Sequence, residues 1–150
     1  MTTPPPPLPG RIGWVDLTVP NASAVRDFYA AVTDWTPQPL SMGDYDDYLM
    51  MSPDGGAHAG VCHARGPNTG LPAQWLVYII VTDLDSRVSR VEAMGGRVIR
   101  PAKAPGPSGR FAVIEDPAGA VCALFEAPSA PNSPASDATS DATSDATSNA

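Results

Sequence analysis

The chain has 150 residues, with 9 Lys or Arg against 16 Asp or Glu and a net charge of −7. This length fits one compact domain, and an acidic chain with scattered arginines is a poor nucleic-acid binder. Its 2 cysteines are too few for a disulfide-stapled mini-protein or a four-thiolate zinc site. The longest apolar run, residues 75–81, is far shorter than the ~20 residues that span a bilayer. Because the first residues also lack the features of a secretory signal, we expect a cytoplasmic protein that binds neither nucleic acid nor membrane.

Two flanking segments have biased compositions. Half of residues 1–10 are proline, which predicts a loose, polyproline-II-like arm. Residues 129–150 contain a repeated Ser-Asp-Ala-Thr pattern that cannot fill a core, which predicts a disordered tail. The folded domain is therefore expected to span residues 11–128.

The body of the chain contains two similar halves. A β-rich run at 13–19 is followed by Asn21, a good helix N-cap, and then by apolar residues at helical spacing. A second β-rich run at 75–81 is followed by Asp83, another good N-cap, and by a second helical pattern that stops at a glycine pair, 95–96. The two caps lie 62 positions apart. The spacing indicates a duplicated strand–helix unit.

Three short strand candidates follow each predicted helix. Turn sequences rich in Gly, Pro and Asp separate them, as at 52–56 and 116–119. We predict an α+β fold of two βαβββ modules in tandem: module one at 11–64, a linker at 65–73 and module two at 74–128. The strand candidates are 35–40, 45–51 and 57–63 in module one, and 97–100, 110–115 and 120–126 in module two.

Several of these segments together resemble the vicinal oxygen chelate superfamily, which includes glyoxalase I, extradiol dioxygenases and bleomycin-resistance proteins. The matching segments are the strand 14–19, Phe28-Tyr29, Gly95-Gly96-Arg97-Val98 and the hairpin 116–120. The resemblance covers about 11–127, and the chain also resembles uncharacterised glyoxalase-like proteins whose modules open W-x-D/E-L rather than with His. It implies curved mixed sheets around a cup-shaped cavity, and relatives of this size often pair as homodimers. It does not fix a function, because the superfamily includes lyases, isomerases, oxygenases and pure binders.

The resemblance also implies where a metal would bind. Relatives that use a metal place two ligands in each module, and the corresponding residues here are Trp14, Leu76, Ala123 and Val61, or Gly60 if one turn is a residue shorter. Zinc, iron and manganese need imidazole, carboxylate or thiolate ligands, which none of these side chains supplies. We therefore expect no metal at the usual site and no cofactor.

In this fold the metal-ligand positions face the cup, and alternate residues of a strand share that face. The implied ligand-binding residues are Trp14, Thr18, Val61, Leu76, Ala123 and Phe125, and the same alternation turns Asp16, His63 and Tyr78 inward. A shift of one residue in strand 57–63 would instead turn His58 and Cys62 inward.

The polar residues of the predicted cup are the catalytic candidates. Asp16 lies within an apolar strand, so it needs a partner or a shifted pKa, and it could act as a general base or anchor a cation. Tyr78 could donate a hydrogen bond, and His63 could shuttle a proton. The loop 100–110 is basic and rich in Pro and Gly, so it could close over an anionic ligand.

We predict a small-molecule-binding protein without the usual metal site. One alternative is a metal-independent isomerase or lyase that uses Asp16 with His63 or Tyr78. Another is a glyoxalase-like lyase or dioxygenase with a displaced metal site, built from Asp16, His63 and Glu126. Among partners, we expect a small-molecule ligand and, from the resemblance, a second copy of the chain.

Overall fold

The computed structural model describes residues 7–128. These residues form eight strands, two α-helices and a short 3-10 helix at Gly66–Asn68 in the linker. In chain order the regular elements are β1 (Ile12–Val19), α1 (Ala22–Val32), β2 (Thr36–Ser41), β3 (Asp46–Met51), β4 (Ala57–His63), β5 (Trp75–Ile80), α2 (Leu84–Ala93), β6 (Arg97–Arg100), β7 (Arg110–Glu115) and β8 (Val121–Glu126). The predicted α+β fold of two tandem βαβββ modules is confirmed.

The strands form one mixed sheet with the order β2-β3-β4-β1-β5-β8-β7-β6. Within each module the first strand pairs in parallel with the last strand, as β1 with β4 and β5 with β8. The two modules meet where β1 and β5 pair antiparallel, a boundary that we call the seam. The first strand of each module therefore lies at the centre of the sheet.

Helix α1 covers one face of module one. Its Val25 and Tyr29 pack against a core that includes Leu17 on β1 and Val61 on β4. The Trp75 indole N–H donates to the Tyr29 hydroxyl at 3.0 Å, which ties this core to the start of module two. We call the opposite side of the sheet, where the Asp16 side chain lies, the open face.

Local signals explain how the helices begin and end. Asp83 precedes α2 in a left-handed conformation (φ 51°), and its carboxylate accepts the Ser86 N–H at 3.4 Å. Asn21 precedes α1, but its side chain makes no capping hydrogen bond. After α2, a side chain at Gly96 would collide with the carbonyl of Glu115, so the close approach of the helix end to β7 requires glycine.

Only part of the predicted arm and none of the predicted tail is described. Residues 1–6 and 129–150 lie outside the described residues. Residues 7–10 contact the folded body, where the Gly10 N–H donates to the Ile80 carbonyl at 2.7 Å. No helix within 7–128 combines the length and apolar character needed to cross a membrane.

Candidate functional site

Asp16 lies at the seam, on the open face of the sheet. Its neighbours across the strands are Gly60 on β4 and Leu76 on β5. The Trp14 indole N–H donates to its Oδ1 at 2.5 Å, and the Tyr78 hydroxyl donates to its Oδ2 at 2.9 Å. A Cβ atom at Gly60 would overlap Asp16 Oδ1, so the absent side chain leaves room for the carboxylate. Two donors and one glycine thus fix this acid at the centre of the sheet.

The environment of Asp16 shifts the ionisation of two groups. Burial raises the pKa of Asp16 above its ordinary value of 3.8, the hydrogen bonds from Trp14 and Tyr78 partly lower it, and the charge of Asp47 raises it again. Burial and the Asp16 charge also raise the pKa of Tyr78 well above its ordinary range. Tyr78 therefore remains a hydrogen-bond donor at neutral pH.

A cavity of about 1080 Å³ opens beside Asp16, mainly over module two. Its walls include Trp14, Ile80, Phe111 and Phe125, and its accessible lining is largely apolar. The rings of Tyr78 and Phe111 meet edge to face, with centroids 5.4 Å apart. A large apolar cavity with a few fixed polar groups is the usual form of a small-molecule site.

Loops from both modules form the mouth of the cavity. Met42 comes from the β2–β3 turn, and Pro67 and Asn68 come from the linker. Most of the rim belongs to the β6–β7 loop, residues 101–109, where Gly109 has a φ of 77° and approaches the Phe125 ring. The predicted basic loop thus borders the cavity.

The structure brings some predicted site residues together and buries others. Trp14, Asp16, Tyr78 and Phe125 line the cavity. Thr18 pairs with Cys62 in the same register that pairs Asp16 with Gly60. Thr18 therefore shares the open face with Asp16, but Thr18 is buried. Leu76 and Ala123 also share the face and are buried in a second core cluster with Val113. Thr18, Leu76 and Ala123 therefore pack around the site and do not line the cavity.

The predicted orientation of β4 is wrong. Val61 pairs with Leu17, so it lies on the face covered by α1, and His63 follows the same alternation. Ala59 and Val61 are 2% and 0% exposed, and burying these two apolar side chains beneath α1 decides the register. Cys62 therefore turns to the open face, as in the alternative register. His58 is exposed near the β3–β4 turn, close to Gly56.

His63 and Asp16 lie in different clusters of side chains. Its ring packs against Tyr45 and Tyr48, with centroids 5.5 and 6.1 Å away, and its backbone N–H donates to Asp47 at 2.8 Å. His63 Nδ1 is 3.5 Å from the Asp47 carboxylate without forming a hydrogen bond. Asp16 was predicted to act with His63 or with Tyr78. The structure brings Asp16 together with Tyr78 at the cavity.

Several residues of the cavity wall, among them Phe111, Arg100 and Lys103, were not among the predicted site residues. Phe111 pairs with Phe125 across the β7–β8 hairpin, so counting back from the predicted turn at 116–119 would have found it. Arg100 and Lys103 lie in the loop that was predicted to be basic, but nothing in the sequence shows which loop side chains reach the cavity.

The residues at the usual metal positions do not fit a metal. Trp14, Leu76, Ala123 and Gly60 surround Asp16 on the open face, and none has a ligating side chain. Glu126, proposed for a displaced site, accepts hydrogen bonds from the Leu84 N–H and from Arg110. Within residues 7–128, His, Cys, Asp and Glu side chains form no group of three or more that could hold a metal ion.

The family model of the glyoxalase-like domain matches residues 14–125, which are most of the chain. The chain belongs to the glyoxalase-like domain family. The matched range begins on β1 and ends on β8, so it contains both modules and, apart from Gly13, the strand residues that line the cavity. This places the chain in the vicinal oxygen chelate superfamily.

Curated relatives of this glyoxalase-like domain include proteins of Streptomyces and Mycobacterium species. The anthracycline biosynthesis protein DnrV of Streptomyces peucetius is 36% identical over 129 residues, which cover 78% of this chain and 47% of that protein. The putative glyoxylase CFP32 of Mycobacterium bovis is 36% identical over 123 residues, which cover 79% of this chain and 46% of that protein. The chain thus spans about half the length of these relatives.

Solved structures share the fold of this glyoxalase-like domain at low sequence identity. A glyoxalase/bleomycin resistance protein/dioxygenase superfamily member from Vibrio splendidus has a TM-score of 0.51 at 12% identity, over 75% of this chain and 96% of that one. A Streptomyces coelicolor methylmalonyl-CoA epimerase has a TM-score of 0.50 at 15% identity, over 81% of this chain and 100% of that one. These likenesses establish the fold alone.

Proposed function

We propose that this glyoxalase-like domain binds a small organic molecule with a flat, apolar ring system, and that it does so without a divalent metal. The observation that carries the proposal is the carboxylate of Asp16, held by Trp14 and Tyr78 at the edge of a largely apolar cavity of about 1080 Å³. The cavity supplies area for the rings, and Asp16 with Tyr78 supplies a fixed polar contact.

The walls favour flat rings over a flexible chain. Trp14, Phe111 and Phe125 present aromatic surfaces to the cavity, and aromatic pairs stabilise one another beyond simple burial. The cavity volume is just above the range of about 300–1,000 Å³ that is common for ligand sites. Two relatives are named anthracycline biosynthesis proteins, and anthracyclines are fused-ring compounds, which agrees with a ligand of this class.

Phenylnaphthylamine, a neutral aromatic dye that fluoresces in apolar surroundings, tests the proposal. We expect saturable binding at one dye per chain, with energy transfer from Trp14, which lines the cavity. Trp14→Phe should lower that transfer more than Trp35→Phe does, because Trp14 lines the cavity. Trp35→Phe, in the α1-side cluster, should leave it largely intact and is the matched control.

The result that would overturn the proposal is dye binding that does not saturate, or energy transfer that is the same in both variants. Treatment with a chelator tests the metal-free part. We expect unchanged affinity for the dye. Loss of binding that Zn²⁺ or Mn²⁺ restores would instead show a metal-dependent site.

A second function, proton transfer, is favoured by the raised pKa of Asp16. A general base is most effective when its pKa is close to the working pH, and burial moves Asp16 in that direction. In this reaction the Asp16 carboxylate takes a proton from carbon next to a carbonyl. The Tyr78 hydroxyl donates to Asp16 before the reaction, and it turns to the enolate oxygen as Asp16 becomes protonated. Return of the proton by Asp16 to a different atom of the enolate would give an isomerase.

Deuterium exchange into tetralone, an apolar ketone with an acidic C–H bond, measures this activity directly. We expect exchange about 10²-fold or more above the buffer rate, which Asp16→Asn abolishes. Asp46→Asn, which removes the same charge from an exposed site on β3, should retain it. Equal exchange in the two variants would exclude Asp16 as the base without affecting the binding proposal.

A further inference from the structure

The cavity reverses the charge balance of the chain. Overall the chain has 9 basic and 16 acidic residues. Among the residues that line the cavity, the charged ones are Arg100, Lys103, Arg110 and the single acid Asp16. The basic residues all come from β6, β7 or the loop between them, so they lie on one side of the mouth. Positive charge is thus concentrated on one side of the site of an acidic protein.

Arg110 is already neutralised by the protein. Its guanidinium donates to both carboxylate oxygens of Asp85, at 3.0 and 2.9 Å, and to Glu126 at 2.8 Å. A planar guanidinium with two carboxylate partners has little capacity left for a ligand. Arg110 therefore fixes the edge of the cavity and ties β7 to α2 and β8.

Arg100 and Lys103 are different, because neither forms an ion pair with a carboxylate within residues 7–128. One end of the Arg100 guanidinium donates to the Thr69 carbonyl in the linker, which holds the side chain beside the mouth. Its Nε is buried and has no hydrogen-bond partner among the described residues. A buried N–H group of a charged side chain without an acceptor is unfavourable, so it is a good position for an oxygen of a ligand.

The backbone of the rim offers more donors. Within the described chain, the amides of Ala102, Lys103 and Ala104 make no hydrogen bonds, although all three residues line the cavity. Pro101, Pro105 and Pro107 lie around them, and proline has no N–H to pair in a strand. Successive free amides next to a guanidinium and an ammonium form a suitable environment for an anion.

We infer that the ligand of this cavity is an amphipathic acid, with an apolar ring body and an anionic group bound at Arg100 and Lys103. The inference rests on the proposed binding function and specifies the chemistry of its ligand. Asp16 is also an acid, so like-charge repulsion keeps the anionic group at the basic rim and turns the uncharged end of the ligand toward Asp16. The two ends of the cavity thereby fix the orientation of the ligand.

Two dyes with nearly the same rings and different charge test the inference. Anilinonaphthalene sulfonate carries a permanent negative charge, and phenylnaphthylamine carries none. We expect the wild-type protein to bind the anionic dye about tenfold more tightly, and each dye to displace the other from one site. Added NaCl should weaken binding of the anionic dye and leave the neutral dye unaffected, because salt screens exposed charges.

Arg100→Gln and Lys103→Gln should each weaken binding of the anionic dye, by about tenfold for Arg100, and affect the neutral dye much less, in line with the strength of hydrogen bonds to charged groups. Arg97→Gln is the control, because it removes the same charge from an exposed β6 residue that pairs with Glu115 outside the cavity. Near-ultraviolet circular dichroism of each variant confirms that the fold is intact.

The outcomes separate this inference from the proposed function. If the neutral dye binds as tightly as the anionic dye, and Arg100→Gln changes neither, the cavity binds rings but has no anion site. If neither dye binds saturably, the proposed function itself is wrong. If Arg97→Gln weakens the anionic dye as much as Arg100→Gln does, overall charge rather than the rim is responsible, and the inference is overturned.

Discussion

The two modules have the same backbone arrangement but very different side chains on the open face. In module one the pair across the parallel strands is Asp16 with Gly60, and the equivalent pair in module two is Tyr78 with Ala123. In module two, Phe111 faces Phe125 across the β7–β8 hairpin. The corresponding positions of module one hold Asp47 and Cys62, next to the pair Tyr48 and Val61.

Because of this difference, the two modules contribute different kinds of side chain to the site. Module one contributes acids, small residues and the ring of Trp14, and module two contributes the other rings of the cavity. Cys62 shows how closely the acidic half is packed, because burial raises the pKa of its thiol, and the charges of Asp16 and Asp47 raise it further. A duplicated fold can therefore build an asymmetric site, since strand positions are repeated while their chemistry diverges.

The largest expected effect comes from making module one resemble module two at Gly60. Gly60→Ala places a Cβ against the Asp16 carboxylate, and we expect it to lower the free energy of unfolding by about 2 kcal/mol, typical of overpacking. The reverse change in module two, Ala123→Gly, should cost about 1 kcal/mol. Urea denaturation measures both.

A double-mutant cycle shows whether Asp16 is the cause. In an Asp16→Ala background, Gly60→Ala should cost almost nothing, because the colliding oxygen is gone. An equal cost in both backgrounds would mean that the glycine is required by the backbone and not by Asp16.

A smaller effect is expected from removing the hydrogen bond that joins the two modules across the seam. Tyr78→Phe removes a donor to Asp16, which should lower the free energy of unfolding by about 1 kcal/mol and raise the pKa of Asp16 further. Tyr45→Phe is the control, because the Tyr45 hydroxyl has no hydrogen-bond partner within the described residues. Thermal and urea unfolding compare them, and equal losses would show that the Tyr78 hydroxyl contributes nothing specific.

The charge of Asp16 should also give the protein a particular pH dependence. Because the pKa of Asp16 is raised on folding, the unfolded chain loses this proton first as the pH rises above 3.8. The contribution of Asp16 to the free energy of unfolding is therefore fully present below that pH and is lost as the pH rises through the raised pKa. Relative to wild type, Asp16→Asn should gain stability across this window.

Urea unfolding from about pH 4 to pH 8 measures that gain as the difference between wild type and variant. Asp46→Asn, on the exposed side of β3, serves as the matched change of charge. A difference between wild type and Asp16→Asn that does not vary with pH would contradict the raised pKa.

The smallest effect concerns reactivity rather than stability. Cys62 should react with iodoacetamide more slowly than Cys122, because two acids of module one add to the burial that raises its pKa, whereas burial and Asp116 act on Cys122. Cys62→Ser and Cys122→Ser isolate the two rates in native protein. Faster labelling of Cys62 would show that the acidic half is more open than the structure indicates.

Much of the fold was predictable because the duplication repeats local signals. The cap positions Asn21 and Asp83 placed the start of each helix, and the turns at 52–56 and 116–119 and the β-rich runs placed each strand within one residue of its observed bounds. The alternation along β1, β5 and β8 also put Asp16, Tyr78 and Phe125 on one face, where the structure places them.

The orientation of β4 was not predictable from alternation alone. One parity offers Ala59, Val61 and His63, and the other offers His58, Gly60 and Cys62, so neither set is clearly the core. The packing of α1 against Val61 and the room that Asp16 needs at Gly60 decide between them, and both are tertiary contacts. The positions of Arg100 and Lys103 at the rim were also not predictable from the sequence, because a loop has no periodicity that relates its side chains to a face.

The position of the site across the seam couples ligand binding to the docking of the modules. Trp14 and Asp16 come from one side of the β1–β5 pairing, and Tyr78 and Phe125 come from the other. These strands are separated by a long stretch of chain, so the site forms only after the slowest, most distant contacts have been made. A molecule bound at the proposed site would hold the two half-sheets together, and a ligand at one hundred times its Kd would add about 2.7 kcal/mol to the free energy of unfolding.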